Sequence, residues 1–127
     1  MSRINLLCKN LQLSSFETMI LESVRKYTRT ELLPRVNKDF KDKGIHCRKL
    51  YKDFGKIGFL GPTIPEYGCM GLSYKMYGLI AKEIEYVDSG YRSMYSVQSS
   101  LVMNPIYKYG NEKMKKNICL FYRVENS

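Results

Sequence analysis

The sequence predicts an all-α protein, a bundle of about five helices. Apolar residues recur at steps of three and four, capping residues precede these stretches, and no stretch alternates with period two for long. At 127 residues the chain has room for one domain with one modest core. Its apolar share of 44% is typical of globular proteins and argues against wholesale disorder.

The first helix is predicted to begin after Ser14, because Ser14 and Glu17 have the spacing of a capping box. Leu33-Pro34 predicts that this helix ends or kinks near Leu32. Its predicted core face carries Phe16, Met19, Ile20, Val24 and Tyr27.

A second helix is predicted between a break at Gly44 and Gly58, which suits a left-handed cap. The glycine- and proline-rich stretch 59–71 that follows is predicted to be a loop. The residues predicted on one face of this helix are Cys47, Leu50, Tyr51, Phe54 and Ile57.

Ser73 is predicted to cap a third helix, within which Gly78 offers a close approach of two helices. A fourth helix is predicted from near Tyr91 to Tyr109, with Pro105 as a kink, before a last lysine-rich helix capped by Asn111. The fourth helix runs through Met94, Val97, Leu101 and Val102. The predicted buried face of the third helix carries Tyr77, Ile80, Ala81, Ile84 and Val87.

The net charge of +9 is high for this length and leaves three interpretations open. The partner is a polyanion such as nucleic acid, or a smaller phosphate-bearing ligand, or the charge is only a solvated surface. Residues 35–56 hold eight basic residues and three Asp, interleaved with Phe40, Leu50, Tyr51 and Phe54 at helical spacing. Charges in that pattern are typical of the wet face of packed helices, whereas a stacking platform for single strands needs exposed rings.

The four cysteines and the lone histidine, His46, have no spacing that would form a zinc site, so no metal is predicted. The cysteines (Cys8, Cys47, Cys69 and Cys119) are predicted to be reduced thiols. No apolar run approaches the about 20 residues that cross a bilayer, so membrane insertion is not expected. Residues 1–12 are interpreted as a leader or loop and carry no complete targeting peptide.

Residues 83–93 carry the clearest signal of chemistry. One helix is predicted to end at Val87 and the next to begin soon after, so the amides of residues 89–93 would attract an anion. Arg92, a planar two-pronged donor, and the hydroxyls of Ser93 and Ser96 on one face can together hold a carboxylate. The alternative is that Arg92 pairs with Glu85 or Asp88 as a loop clamp, and the residues alone leave both interpretations open.

The chain resembles the acyl-CoA dehydrogenases, and most closely the glutaryl-CoA dehydrogenases among them. The resemblance is long, extends weakly back to Leu13 and forward to about Lys116, and is strongest in one motif. The matching stretches are Phe59-Leu60-Gly61-Pro62-Thr63-Ile64, Tyr67-Gly68-Cys69, Tyr77-Gly78-Leu79-Ile80-Ala81, Val87-Asp88-Ser89-Gly90-Tyr91-Arg92-Ser93 and Ser96-Val97-Gln98-Ser99-Ser100-Leu101-Val102-Met103 with Pro105-Ile106-Tyr107 and Tyr109-Gly110.

The resemblance implies the N-terminal helical domain of the acyl-CoA dehydrogenase fold and an acyl-CoA substrate, glutaryl-CoA. In the full-length family a carboxylate removes the α proton, FAD accepts the β hydride, and the glutaryl enzymes form crotonyl-CoA by oxidative decarboxylation. The family's contacts with the far carboxylate of the glutaryl group carry over onto Arg92 and Ser93, with Glu85 and Ser96 close by. Homo-oligomers and the mitochondrial matrix are also implied.

The chain departs from the family after Lys116. On the resemblance, residues 13–118 are an incomplete N-terminal helical domain and 119–127 a divergent tail, with the flavin-binding β domain and C-terminal helical domain absent. We therefore expect a fragment that contains no catalytic base, binds no FAD and is inactive alone. The alternatives are an inactive paralogue that pairs with a full-length subunit, or a basic helical binding module that uses residues 35–56.

Overall fold

The computed structural model describes residues 11–42 and 48–121, and every regular element in these two ranges is helical, as predicted. Two of the elements are π-helical segments, named π1 and π2 here. In chain order the elements are α1 (Ser15–Tyr27), π1 (Thr28–Leu32), α2 (Val36–Lys41), α3 (Arg48–Lys56), α4 (Tyr74–Glu85), α5 (Ser89–Ser96), π2 (Val97–Met103), α6 (Asn104–Tyr109) and α7 (Glu112–Phe121).

The predicted helix boundaries are confirmed wherever they rest on a capping side chain or a glycine. The Ser14 hydroxyl accepts a hydrogen bond from the Glu17 amide, and the Glu17 carboxylate accepts one from the Ser14 amide. Ser73 caps α4 and Asn111 caps α7 through hydrogen bonds from backbone amides three residues on. Gly58 ends the turn after α3 with φ +79°, in the left-handed region that suits glycine.

Helix α4 lies at the centre of the bundle, since it packs against both α1 and α5. The core continues into the loop after α3, where Phe59 is buried and makes edge-to-face contacts with Tyr27 and Phe54. The fully buried apolar side chains are Val24, Leu32, Leu50, Phe54, Ile64, Met76, Ile80, Ile84, Tyr91, Met94, Tyr95 and Met103.

Two residues predicted on the core face of the first helix lie on the surface. Phe16 and Met19 are more than half exposed, because only the Ile20 and Val24 side of α1 is buried. The prediction of one helix from near Tyr91 to Tyr109 is confirmed, since α5, π2 and α6 follow one another without a break from Ser89 to Tyr109. The π-helical turns of π2 were not predicted, and they shift its side chains out of the α-helical phase. Val97 and Leu101 of π2 are exposed, Leu101 by 70%.

One further expectation is wrong. A Cβ atom added at Gly78 would meet no atom within 4 Å, so this exposed glycine makes no close approach to another helix. Helix α5 begins at Ser89, two residues before Tyr91, because Asp88 caps it. Gly44, His46, Cys47 and Cys8 lie outside the described residues, and Cys69 is a half-buried thiol.

The basic stretch 35–56 is only partly the wet face that its pattern predicts. Leu50 and Phe54 are buried, but Phe40 is 73% exposed. Arg35 is committed to a two-bond ion pair with the buried Asp39. In the described part of the stretch, Phe40 is the one ring that is mostly exposed, whereas a platform for single strands stacks successive bases on several rings. Across the described residues, no helix is long and apolar enough to cross a membrane.

Candidate functional site

The turn between α4 and α5 brings the predicted site residues to one end of the helical pair. Asp88 stands in extended conformation before α5, and its carboxylate accepts a hydrogen bond of 2.7 Å from the Gly90 amide. The Asp88 carbonyl accepts a second bond, from the Arg92 amide. The expectation that the amides of residues 89–93 are free for an anion is therefore wrong in part, because Asp88 already satisfies the start of α5.

Arg92 and Glu85 form the ion pair at the centre of the site. The Arg92 Nε donates to Glu85 Oε2 at 2.6 Å, while the Ser89 hydroxyl donates to the other oxygen, Oε1. The hydrogen bond from Ser89, and then that from Arg92, lower the pKa of Glu85, so this carboxyl is charged at neutral pH. The Arg92 and Glu85 side chains are 37% and 43% exposed, which leaves them within reach of a ligand.

The remaining donors of the site are uncommitted. The two Nη atoms of Arg92 have no hydrogen-bond partner among the described residues, and neither do the hydroxyls of Ser93 and Ser96. Both serines are half-buried on α5. Ser96 lies four positions after Arg92 and three after Ser93, and side chains at these spacings are neighbours on a helix surface. Ser93 directly follows Arg92, and adjacent side chains of a helix do not face each other. Ser96 is therefore the hydroxyl placed to share an anion such as a carboxylate with Arg92.

The structure contains one feature that each of the two sequence-based interpretations of Arg92 requires. The loop clamp requires an ion pair within the turn, and Glu85 rather than Asp88 is the partner. The carboxylate site requires open donors, and the Nη edge of Arg92 supplies them. That Arg92, Ser93, Ser96 and Glu85 bind a substrate stays a prediction.

Sequence reasoning missed the ionic cluster beneath this turn. Glu83, with only 6% of its side chain exposed, accepts hydrogen bonds from Arg25 and from Arg29 at 3.0 Å. The Arg29 guanidinium also lies 3.7 Å from the centre of the Tyr86 ring and donates to the Glu83 carbonyl. The signal was available, because Glu83 falls between Ile80 and Ile84 on the buried stripe of α4, where a carboxylate needs a partner.

A second buried contact fixes the inner side of α5. The Tyr91 hydroxyl donates to Asp39 Oδ2 at 2.6 Å, and Arg35 holds both oxygens of the same carboxylate. Burial raises the pKa of Asp39, but the bonds from Arg35 and Tyr91 outweigh it and the net pKa is lowered. This cluster connects α2 to Tyr91, the residue immediately before Arg92, and no sequence motif predicted it.

One cavity among the described residues is too small for a large cofactor. It has a volume of about 220 Å³ and is lined by Lys56, Tyr67, Cys69, Met70 and Met103 among others. Pockets for drug-sized ligands begin at about 300 Å³, so it does not fit a flavin dinucleotide. Within residues 11–42 and 48–121, no three His, Cys, Asp or Glu side chains cluster as metal ligands.

Comparisons with known proteins agree on one family. A profile described as "Acyl-CoA dehydrogenase, N-terminal domain" matches residues 14–119. Isovaleryl-CoA dehydrogenase, mitochondrial, from Pongo abelii is 29% identical over 106 residues, which are 82% of this chain and 25% of that protein. The chain thus spans about a quarter of the length of the curated relatives that it matches.

Two solved structures of Mycobacterium smegmatis glutaryl-CoA dehydrogenase are also similar. One, in complex with FADH2, superposes with a TM-score of 0.76 at 38% identity, over 84% of this chain and 28% of that one. The other has a TM-score of 0.80 at 34% identity, over 90% of this chain and 30% of that one.

Proposed function

We propose a function from one premise: this chain belongs to the acyl-CoA dehydrogenase family, through its N-terminal helical domain. The proposed function is to form the acyl-tail end of the substrate site in a flavin-dependent dehydrogenase that acts on glutaryl-CoA. Arg92 would bind the distal carboxylate of the acyl group, with Ser93 and Ser96 as additional donors and Glu85 as the companion of Arg92.

The single observation that carries this proposal is the open edge of Arg92. Its Nε is bonded to Glu85, while both Nη atoms are without partner among the described residues and the side chain is partly exposed. A guanidinium edge is the natural partner of a carboxylate, since two parallel N–H donors match its two oxygens. A hydrocarbon tail would leave these donors unsatisfied, which disfavours monocarboxylic acyl groups.

The similarity to glutaryl-CoA dehydrogenase supports the same substrate class, at 34–38% identity over most of the chain. FAD, when bound in such an enzyme, accepts the hydride from the acyl chain. None of the described side chains is assigned to the flavin, so the part proposed for this chain is substrate selection. The mitochondrial relatives make the matrix the proposed location, and glutaryl-CoA the proposed partner.

The test compares two acyl-CoA ligands of equal acyl length, glutaryl-CoA and valeryl-CoA, by isothermal titration and NMR of the chain. We expect glutaryl-CoA to bind about fivefold more tightly, the size expected of one partly exposed ion pair. Arg92→Lys keeps the charge but removes the fork, and should abolish most of this preference without changing valeryl-CoA binding. Equal affinities of the unmodified chain for the two ligands would refute the proposed function.

A further inference from the structure

Two of the arginine–carboxylate pairs among the described residues, Arg35–Asp39 and Arg92–Glu85, differ in the number of hydrogen bonds that join them. Arg35 grips Asp39 with two bonds, Nε to Oδ2 at 2.6 Å and Nη2 to Oδ1 at 3.1 Å. Arg92 grips Glu85 with one bond, Nε to Oε2 at 2.6 Å. Two-bond pairing is the frequent geometry for arginine and a carboxylate, so the single bond at Arg92 requires a cause.

The cause is in the hydrogen bonding of Glu85. Its second oxygen, Oε1, accepts the hydroxyl of Ser89, the first residue of α5 and four positions after Glu85. Among the described side chains, Asp39 accepts its third hydrogen bond from a tyrosine rather than a serine, and Tyr91 shares Oδ2 with Arg35 instead of bonding Oδ1. The Asp39 oxygen that faces Nη2 is therefore not drawn away from Arg35, while the corresponding oxygen of Glu85 is held in place by Ser89.

We propose that Ser89 is a positioning residue that holds Glu85 Oε1 and thereby keeps the Nη edge of Arg92 open for the ligand carboxylate. The inference rests on the proposed function and deepens it, because it names the residue that sets the selectivity of the same site. Without the Ser89 hydroxyl, Glu85 Oε1 is free to turn towards Nη2 and close the second bond. The internal carboxylate would then compete with the ligand for the same edge of the guanidinium.

The first measurement is made without ligand, on the ¹⁵N and ¹³C resonances of the Arg92 guanidinium in the chain. In the unmodified protein we expect fast rotation about the Nε–Cζ bond, because no Nη hydrogen bond restrains it. In Ser89→Ala we expect rotation slowed about threefold, as the second bond to Glu85 forms. Ser89→Thr retains the hydroxyl and should restore fast rotation.

A matched control separates this effect from the loss of any serine. Ser23 lies exposed on α1, and its hydroxyl bonds the Met19 carbonyl of its own helix. Ser23→Ala should leave the Arg92 resonances unchanged. If Ser89→Ala leaves Arg92 rotating as in the unmodified chain, with the fold intact by its amide spectrum, the inference is overturned.

The second measurement adds the ligands glutaryl-CoA and valeryl-CoA. Ser89→Ala should weaken glutaryl-CoA about threefold and leave valeryl-CoA unchanged, since only the first ligand competes with Glu85. The two proposals fail differently. An unmodified chain without preference for glutaryl-CoA refutes the proposed function, whereas an intact preference that Ser89→Ala does not reduce refutes the role of Ser89.

Discussion

Glu83 and Glu85 are two residues apart on α4, and each is bonded to arginine, yet their surroundings are opposite. Glu83 points into the bundle, where its buried carboxylate is shared by Arg25 and Arg29. Glu85 is the last residue of the helix, half in water, and is shared by Arg92 and Ser89. Arginine–carboxylate pairs therefore occur at two positions near the C-terminal end of α4, one buried in the bundle and one at the surface.

The surroundings of each ion pair decide whether it stabilises the fold or remains available to bind a ligand. A buried carboxylate has lost its water, so removing it, or its partners, leaves charges that nothing else compensates. An exposed pair exchanges with water at little cost, so it contributes little to folding and remains available for recognition. We infer that Glu83 holds the α4–α5 turn in place and that Glu85 belongs to the binding surface which the turn presents.

The largest effect is expected for Glu83→Ala. The substitution leaves Arg25 and Arg29 without their shared carboxylate beneath the Tyr86 ring, and should lower the free energy of unfolding by about 2 to 3 kcal/mol. Because half of the Arg25 side chain is exposed and can be hydrated, the loss falls below that of a wholly buried pair. Urea unfolding followed by circular dichroism measures it, and a loss under 1 kcal/mol would place Glu83 with the exposed pairs.

Acid should reveal the same carboxylate through the pH dependence of stability. Burial raises the pKa of Glu83, but the hydrogen bond from Arg25 and the charges of Arg25 and Arg29 outweigh it, so the folded pKa is lowered. A lowered folded pKa contributes stability above the unfolded value, about 4.3, and this stability is lost as the pH falls through the folded pKa.

The comparison of the unmodified chain with Glu83→Gln isolates that contribution from the other carboxylates. The difference between their unfolding free energies should be largest near neutral pH and should shrink as the pH falls below about 4.3. The loss of unfolding free energy should be smaller in Glu83→Gln than in Glu83→Ala, because glutamine still accepts hydrogen bonds from the two arginines. A difference that stays constant from pH 6 to 3 would contradict the lowered pKa.

The sequence predicted local features well because they depend on neighbours along the chain. The capping of α1 by Ser14, of α4 by Ser73 and of α7 by Asn111 each needs only a polar side chain three residues before an amide. The turn at Gly58 needs only a residue that accepts positive φ. The predicted partnership of Arg92 with Glu85 is also local, since both flank one turn.

The features that the sequence did not predict depend on contacts between residues that are far apart along the chain. Apolar spacing put Phe16 on the same face as the buried Ile20 and Val24, but the whole bundle decides which side of a helix is covered. The π-helical turns of π2 changed the phase of its side chains, which a fixed period of 3.6 cannot anticipate. Glu83 pairs with arginines more than fifty residues away, so its role was visible only in three dimensions.

The smallest effect on the free energy of unfolding is expected for Glu85→Ala. An exposed pair is worth about 0.5 kcal/mol or less, so the free energy of unfolding should barely change. Both substitutions place alanine in α4, so the gain in helix propensity is similar and the contrast with Glu83→Ala reports the surroundings of each carboxylate. Glutaryl-CoA should bind the Glu85→Ala chain at least as well, because the Nη edge of Arg92 stays open and the neighbouring negative charge is gone. A destabilisation equal to that of Glu83→Ala would show that the outer pair also holds the turn, and the division between folding and recognition would fail.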